Sequence, residues 1–204
     1  MNYRSIISLI AFGFIGFTTI ISGPGCANIV PPQGGLKDTL PPEITRVSPR
    51  DSTKLFTGDR INFVFNEYID LDNVQQNLIM SPLPASTPNV SRKLNTMTVK
   101  LRDTLEPNTT YAINFGNAIK DVNEGNVMKN YTYIFTTGQY FDSLQFAGKV
   151  ILAETGEIDT TLTIMLHRSA DDSALFKEKP RYVTKTDNTG SFRFRNLPGG
   201  TYYV

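Results

Sequence analysis

Short runs of strictly alternating apolar and polar residues set the limits on this chain's fold. In Ile61–Phe65 the apolar side chains Ile61, Phe63 and Phe65 fall on one side, with Asn62 opposite. Met97, Val99 and Leu101 alternate with Thr98 and Lys100, and Tyr111, Ile113 and Phe115 with Ala112 and Asn114. Tyr131, Tyr133 and Phe135 complete the series. Successive side chains of a strand point to opposite faces, so each run buries one face and leaves the other to solvent. Clusters of Pro, Gly, Asn and Asp separate the runs, which is the pattern of antiparallel strands joined by turns. The reading is all-β, with two sheets stacked on a shared apolar core. Only Val74–Asn77 reads as a helical turn, and Asp72 is placed to cap it.

Several blocks in this region carry a family resemblance. Pro41-Pro42-Glu43-Ile44-Thr45-Arg46-Val47-Ser48-Pro49 is similar to the opening strand of the bacterial Ig-like domain of S-layer type. Ile61 to Ile69 resembles its strand with Phe and Glu at fixed spacing, and Leu105-Glu106-Pro107-Asn108-Thr109-Thr110-Tyr111 its "L-x-P-x-T-x-Y" segment. Lys120 to Asn126 resembles the "D-x-x-G-N" loop with one extra residue, and Phe135-Thr136-Thr137 the closing strand. The blocks stand in the family's order, which implies an Ig-like β-sandwich over residues 41–138.

A second unit is expected over 145–204. Phe146 to Leu152 reads as a strand, and Leu162, Ile164 and Leu166 alternate. Asp187-Asn188-Thr189-Gly190 reads as a tight turn with Gly190 at positive φ, placing Phe192 and Phe194 towards a core. The pattern "T-D-x-x-G-x-F-x-F" followed by Leu197-Pro198-Gly199-Gly200-Thr201-Tyr202 resembles prealbumin-like domains such as the regulatory-like domain of carboxypeptidases. That resemblance implies a second β-sandwich. The sequence stops at Val204 within an expected strand, so this sandwich is expected to be incomplete.

The N-terminus has a different character. Arg4 precedes an apolar run from Ile6 to Ile21, and the single cysteine, Cys26, follows Gly23-Pro24-Gly25. A basic residue, an apolar stretch and small residues before a cut site make an export signal, here residues 1–25. The run is shorter than the ~20 residues a spanning helix needs. The segment resembles a bacterial lipoprotein signal, which implies Cys26 as the lipidated residue and membrane contact through that lipid. The usual Leu-like residue three positions upstream is replaced by Gly23. Residues 26–40, rich in Pro and Gly, read as a tether, and this stretch is similar to the N-termini of Bacteroidota-type lipoproteins carrying the same Ig-like domain.

Catalytic signatures are missing from the sequence. His167 is the sole histidine and is expected to face solvent; with one cysteine, neither a His/Cys zinc cluster nor a Cys-His pair can be assembled. No G-x-S-x-G elbow or phosphate-binding glycine loop occurs. No enzyme activity and no cofactor are expected. A formal charge of +1 gives no basis for nucleic-acid binding. Two acidic loops have oxygen ligands at spacings that suit calcium: Asp121, Asn123, Glu124 and Asn126 in one, and Asp70, Asp72 and Asn73 in the other. The same residues are ordinary turn formers, and the turn reading is preferred.

Asp followed by Ser or Thr and then an apolar residue or Thr occurs at Asp38-Thr39-Leu40, Asp51-Ser52-Thr53, Asp103-Thr104-Leu105, Asp142-Ser143-Leu144, Asp159-Thr160-Thr161 and Asp172-Ser173-Ala174. Composition alone predicts about one such triplet. The triplets resemble the acceptor motif for O-glycosylation of exported proteins in Bacteroidota, which implies Thr39, Ser52, Thr104, Ser143, Thr160 and Ser173 as acceptors; Asp-Ser/Thr also marks turns. The resulting expectation is a non-catalytic, lipid-anchored module of the outer membrane that contacts an envelope protein, on the periplasmic face, because no acidic run follows Cys26. The alternatives are a carbohydrate-binding surface lipoprotein, with Tyr68, Tyr140, Tyr182, Tyr202 and Tyr203 as platforms in a chain without Trp, or an accessory subunit of an assembly or transport complex.

Overall fold

The computed structural model describes Tyr3, Ile7, residues 35–171 and residues 173–204. Apart from Tyr3 and Ile7, the signal segment lies outside the described residues, as do Cys26 and residues 27–34 of the tether. Contacts divide the chain into Met1–Lys37 and Asp38–Val204, and all the strands belong to the latter. Among the described residues no helix is long and apolar enough to cross a membrane.

The chain is all-β. Its first half is built from β1 (Ile44–Ser48), β2 (Arg60–Phe65), β3 (Ile69–Leu71), β4 (Ile79–Ser81), β5 (Asn89–Lys93), β6 (Thr96–Lys100), β7 (Thr110–Asn114), β8 (Ile119–Asp121), β9 (Val127–Met128) and β10 (Thr132–Thr136). One sheet has the order β1-β2-β6-β5 and a second β10-β7-β4, while β3-β8-β9 form a third, smaller sheet. All the strands of these sheets pair antiparallel, and an isolated parallel bridge joins Thr53 to Phe135. The alternation in the sequence explains what faces inward. Ile61, Phe63, Met97, Val99, Ile113, Tyr133 and Phe135 are all fully buried, in one continuous core. Phe63 of the first sheet meets Tyr133 of the second edge-on at 5.4 Å and Phe115 at 5.5 Å, the arrangement that opposed ring quadrupoles prefer.

The one helical turn here, α1 (Val74–Asn77), differs from expectation at its start. Asn73, in the left-handed region at φ 45°, occupies the cap position without a side-chain bond. Asp72 instead points its carboxylate at Lys120, 3.6 Å away. The cap position thus falls one residue later than expected, and the Asp72 carboxylate serves an ion pair.

The second half contains β11 (Leu144–Lys149), β12 (Thr163–Leu166), the single turn α2 (Ala174–Lys177), β13 (Tyr182–Lys185) and β14 (Ser191–Leu197). β11 pairs with β14 and β12 with β13. Their shared core is small: Leu166, Tyr182, Phe194 and Leu197 are buried, with Ile164, Phe192 and Tyr202 packed against them. The expected turn is present, with the Gly190 amide donating to the Asp187 carbonyl at 2.9 Å and Gly190 at φ 72°. β11 is shorter than expected, because after Lys149 the Val150 amide turns to the Gly190 carbonyl and a tight loop follows.

His167 does not face solvent. It is 3% exposed and bridges Tyr203 through a reciprocal backbone pair of 2.8 and 2.9 Å. Alternation from Leu166 places this residue outward. The final segment lies across β12 at this point and turns an outer position into an inner one.

Candidate functional site

The described Asp-Ser/Thr triplets share a division of labour, some within a local turn and others across distant segments. The Asp38 carboxylate accepts the Leu40 amide, and that of Asp51 accepts the amides of Ser52 and Ile134. Asp103 accepts the Ser86 amide at 2.7 Å, Asp142 that of Thr110, and Asp159 both the amide and hydroxyl of Thr161. Asp172 lies outside the described residues; in its turn Asp171 accepts the Ser173 amide. The neighbouring hydroxyls have no such duty. Thr39, Ser52, Thr104, Ser143 and Thr160 are exposed, Ser173 half-buried, and none of these hydroxyls makes a hydrogen bond among the described residues. By contrast Thr136 and Thr137 spend their hydroxyls on the backbone of Thr109, Tyr140 and Glu106.

At Asp121 the polar groups are used internally. This residue is 1% exposed, and its carboxylate accepts the amides of Glu124 (2.6 Å), Gly125 (2.8 Å) and Asn126 (2.8 Å). Burial pushes the carboxyl up, but the bonds from Gly125, Asn126 and Glu124 outweigh it and hold the group below the usual aspartate range. Gly125 sits at φ 77°, which lets three successive amides converge. Asn126 reaches the Asp38 carbonyl, and Asn123 stays exposed on the loop. Nearby, Glu67 is pushed above the usual range by burial and then by the charges of Asp121, Asp38 and Glu124. In the other acidic loop Asp70 pairs with Arg92 at 2.8 Å and Asp72 with Lys120, so cations of the protein already stand there. The loop geometry accounts for these residues as turn and pairing groups.

Of the tyrosines, Tyr68, Tyr140 and Tyr203 are exposed. Tyr182 is 2% exposed, and Tyr202 packs edge-on against it with its hydroxyl donating to the Pro198 carbonyl. Core packing removes Tyr182 from any surface platform, while Tyr202 stays half-buried.

One feature had no local signature. Between the two halves, Arg181 forms a bidentate pair with Glu106 at 2.5 and 2.6 Å, across 75 positions of sequence. The Leu83 amide donates to the Arg181 carbonyl, Lys179 reaches the Ala85 carbonyl, and Lys185 that of Gln76. Glu106 is oriented from its own side, since its amide donates to the Tyr111 hydroxyl and its carbonyl accepts the Thr137 hydroxyl. The hydrogen bond from Arg181 outweighs desolvation and holds the Glu106 carboxyl below its usual range. Beside this seam lies a cavity of about 140 Å³ whose walls include Pro82, Pro84, Leu105, Tyr111, Thr104 and Arg181. Asp103, Thr104 and Glu106 thus belong to one locality, which their shared loop makes legible in sequence; Arg181 does not.

Residues 38–137 match the protein family described as bacterial Ig-like domain, a match in keeping with the all-β sheets of this part. Solved structures that resemble the chain include two of S-layer proteins. The N-terminal part of the bacterial S-layer protein SbsC is 19% identical, with 79% of this chain and 33% of that chain covered, at a TM-score of 0.34. The S-layer protein rSbsC(31-844) is 23% identical, with 74% of this chain and 18% of that chain covered, at a TM-score of 0.31. The chain therefore spans a third or less of the length of these proteins, and superpositions this loose carry no functional argument. No curated protein matches the chain.

Proposed function

We propose that this chain is a non-catalytic arm of the bacterial cell envelope, held at the outer membrane by a lipid on Cys26 and presenting its β-rich body to an envelope protein. The observation that supports it best is the seam. A bidentate Arg181–Glu106 pair and a backbone bond from Leu83 join the Ig-like domain to the unit that follows it. That unit is read as a prealbumin-like domain over 145–204. A joined body suits spacing and docking, and the carboxylates of Asp38, Asp51, Asp103, Asp121, Asp142 and Asp159 are committed to backbone amides. Residues 1–25 act as the export signal and 26–40 as the tether in this reading. The free hydroxyls of the Asp-Ser/Thr turns support a further element of it: Thr39, Ser52, Thr104, Ser143, Thr160 and Ser173 as acceptors of O-linked sugar.

The test is Cys26→Ala in the native host with a radiolabelled fatty acid. Label should disappear and the protein should leave the membrane fraction. Retention in the membrane without label would refute the anchor. Intact mass of the host-made protein reads the sugar separately, and a mass equal to that of the lipidated polypeptide alone would refute glycosylation.

A further inference from the structure

Three loops gather at one end of the first half. The Leu94–Asn95 turn between β5 and β6 closes over the neighbouring chain, with the Leu94 carbonyl accepting the Ile69 amide at 3.3 Å and the Asn95 carbonyl the Phe65 amide at 2.9 Å. Just past β8, the Val122 amide donates to the Tyr68 carbonyl at 3.1 Å. Asp38 stands at the same end: its carbonyl accepts the side-chain amide of Asn126, from the loop after β8. Nearby the Glu43 amide donates to the Asn66 side chain.

Local rules would fill these tips with small polar residues, and three of the positions break them. β3 meets β8 at Ile69 and Asp121, both buried, so alternation sends Tyr68 and Val122 outward side by side on the opposite face. Tyr68 is 58% exposed, Val122 52% and Leu94 58%. Leu94 also holds φ 56°, a left-handed conformation that suits Gly, Asn or Asp in a two-residue turn and strains a bulky side chain. The charges along this face are neutralised, Asp70 by Arg92 at 2.8 Å and Lys120 by Asp72 at 3.6 Å. The carboxylates of Asp38, Glu67 and Glu124 stand close to one another at the same end, so it carries no basic field that would attract anionic lipid.

What this tip meets follows from the tether. Twelve positions separate Cys26 from Asp38. Fully extended, such a stretch spans at most about 40 Å. A lipid on Cys26 therefore keeps this end of the body close to the bilayer, where even a weak contact is made at high effective concentration. Building on the lipid anchor proposed above, we infer that the tip formed by Tyr68, Leu94 and Val122 rests in the interfacial layer of the bilayer as a second membrane contact. Tyrosine suits that layer, with its ring against the acyl boundary and its hydroxyl among the headgroups. Leu94 and Val122 supply apolar area beside it. The attraction comes from that area and not from charge, so zwitterionic lipid is sufficient. The contact gives the body a fixed end towards the membrane, which a tether alone does not.

The test uses the full chain taken from host membranes, where lipid caps Cys26 and an introduced cysteine is the one free thiol. Leu94→Cys, Val122→Cys and, at the far end of β6, Lys100→Cys each receive an environment-sensitive fluorophore. Each protein is reconstituted into phosphatidylcholine vesicles that contain acyl-brominated lipid as quencher. An interfacial tip reaches about 5–10 Å into the headgroup boundary. The labels of Leu94→Cys and Val122→Cys should be quenched, and that of Lys100→Cys should stay bright. Adding Tyr68→Ser and Val122→Ser to Leu94→Cys should abolish the quenching and leave the melting temperature unchanged, because both side chains are exposed. Equal quenching of all three labels, quenching that survives the two serines, or quenching that requires phosphatidylglycerol would overturn the inference. Flotation separates its failure from that of the anchor: a chain that floats with an unquenched tip refutes the tip contact alone, and one that does not float refutes both. Labels that stay unquenched in vesicles but shift on adding solubilised envelope protein would overturn the bilayer in favour of a protein partner.

Discussion

Replacing Glu106 by Gln and Arg181 by Met, singly and together, isolates the pair that joins the two halves. The magnitudes follow from unequal burial: the Arg181 side chain is 20% exposed and that of Glu106 is 53%. Exposed pairs are worth about 0.2–1 kcal/mol, whereas removing one partner of a fully buried pair costs about 3–5 kcal/mol. A bidentate pair with one buried member falls between these limits. Glu106→Gln should cost about 2 kcal/mol, because it leaves a mostly buried guanidinium without its counter-charge. Arg181→Met should cost only about 1 kcal/mol, because the apolar chain keeps the packing and the Glu106 carboxylate rehydrates. The double variant should cost about 1.5 kcal/mol, giving a coupling of about 1.5 kcal/mol. Urea unfolding followed by tyrosine fluorescence reads these values, since the chain has no Trp. The acid limb provides an independent check. Glu106 has its folded pKa depressed by Arg181, so its stabilisation is present above the ordinary glutamate value and is lost as pH falls through the lower folded value. Glu106→Gln should remove that part of the pH dependence. A coupling below about 0.5 kcal/mol, or a larger cost for Arg181→Met than for Glu106→Gln, would refute the reasoning.

Phe63, fully buried among Phe115, Tyr131 and Tyr133, should cost about 4 kcal/mol as Ala and about 1.5 kcal/mol as Leu by urea denaturation; equal costs would show that cavity formation is not the cause. Asp121→Asn places an amide donor against the amides that converge there, so calorimetry should show a lower melting temperature at neutral pH. Because the folded Asp121 pKa is lowered, the gap between wild type and variant should close as pH falls through it, while adding calcium or chelator should shift neither melting temperature. Gly190→Ala sets a Cβ at φ 72°, 2.6 Å from Ile158 Cγ2 and 2.9 Å from the Val150 carbonyl oxygen, and should destabilise the chain by at least about 2 kcal/mol in the same denaturation assay.

The inward faces were legible before any tertiary information. Ile61, Phe63, Met97, Val99, Ile113, Tyr133 and Phe135 announce their burial by alternation, because side-chain direction along a strand is a local property of the backbone. The turn at Asp187–Gly190 was equally open, since Asp, Asn and Gly bend the chain through their own dihedral preferences. The free hydroxyls of the Asp-Ser/Thr turns were visible as a motif, though the pinning of each Asp was not. Where the local rule failed, a distant segment had intervened. Asp72 pairs with Lys120 while Asn73 holds the cap position, and His167 became interior under Tyr203.

Strand identity, face and turn position thus belong to the amino-acid order, because steric and hydrophobic periodicity act between near neighbours. The Arg181–Glu106 seam and the burial of His167 were decided only when the strands assembled. Each depends on which surfaces meet across long stretches of chain, and complementarity between remote surfaces leaves no period in the sequence.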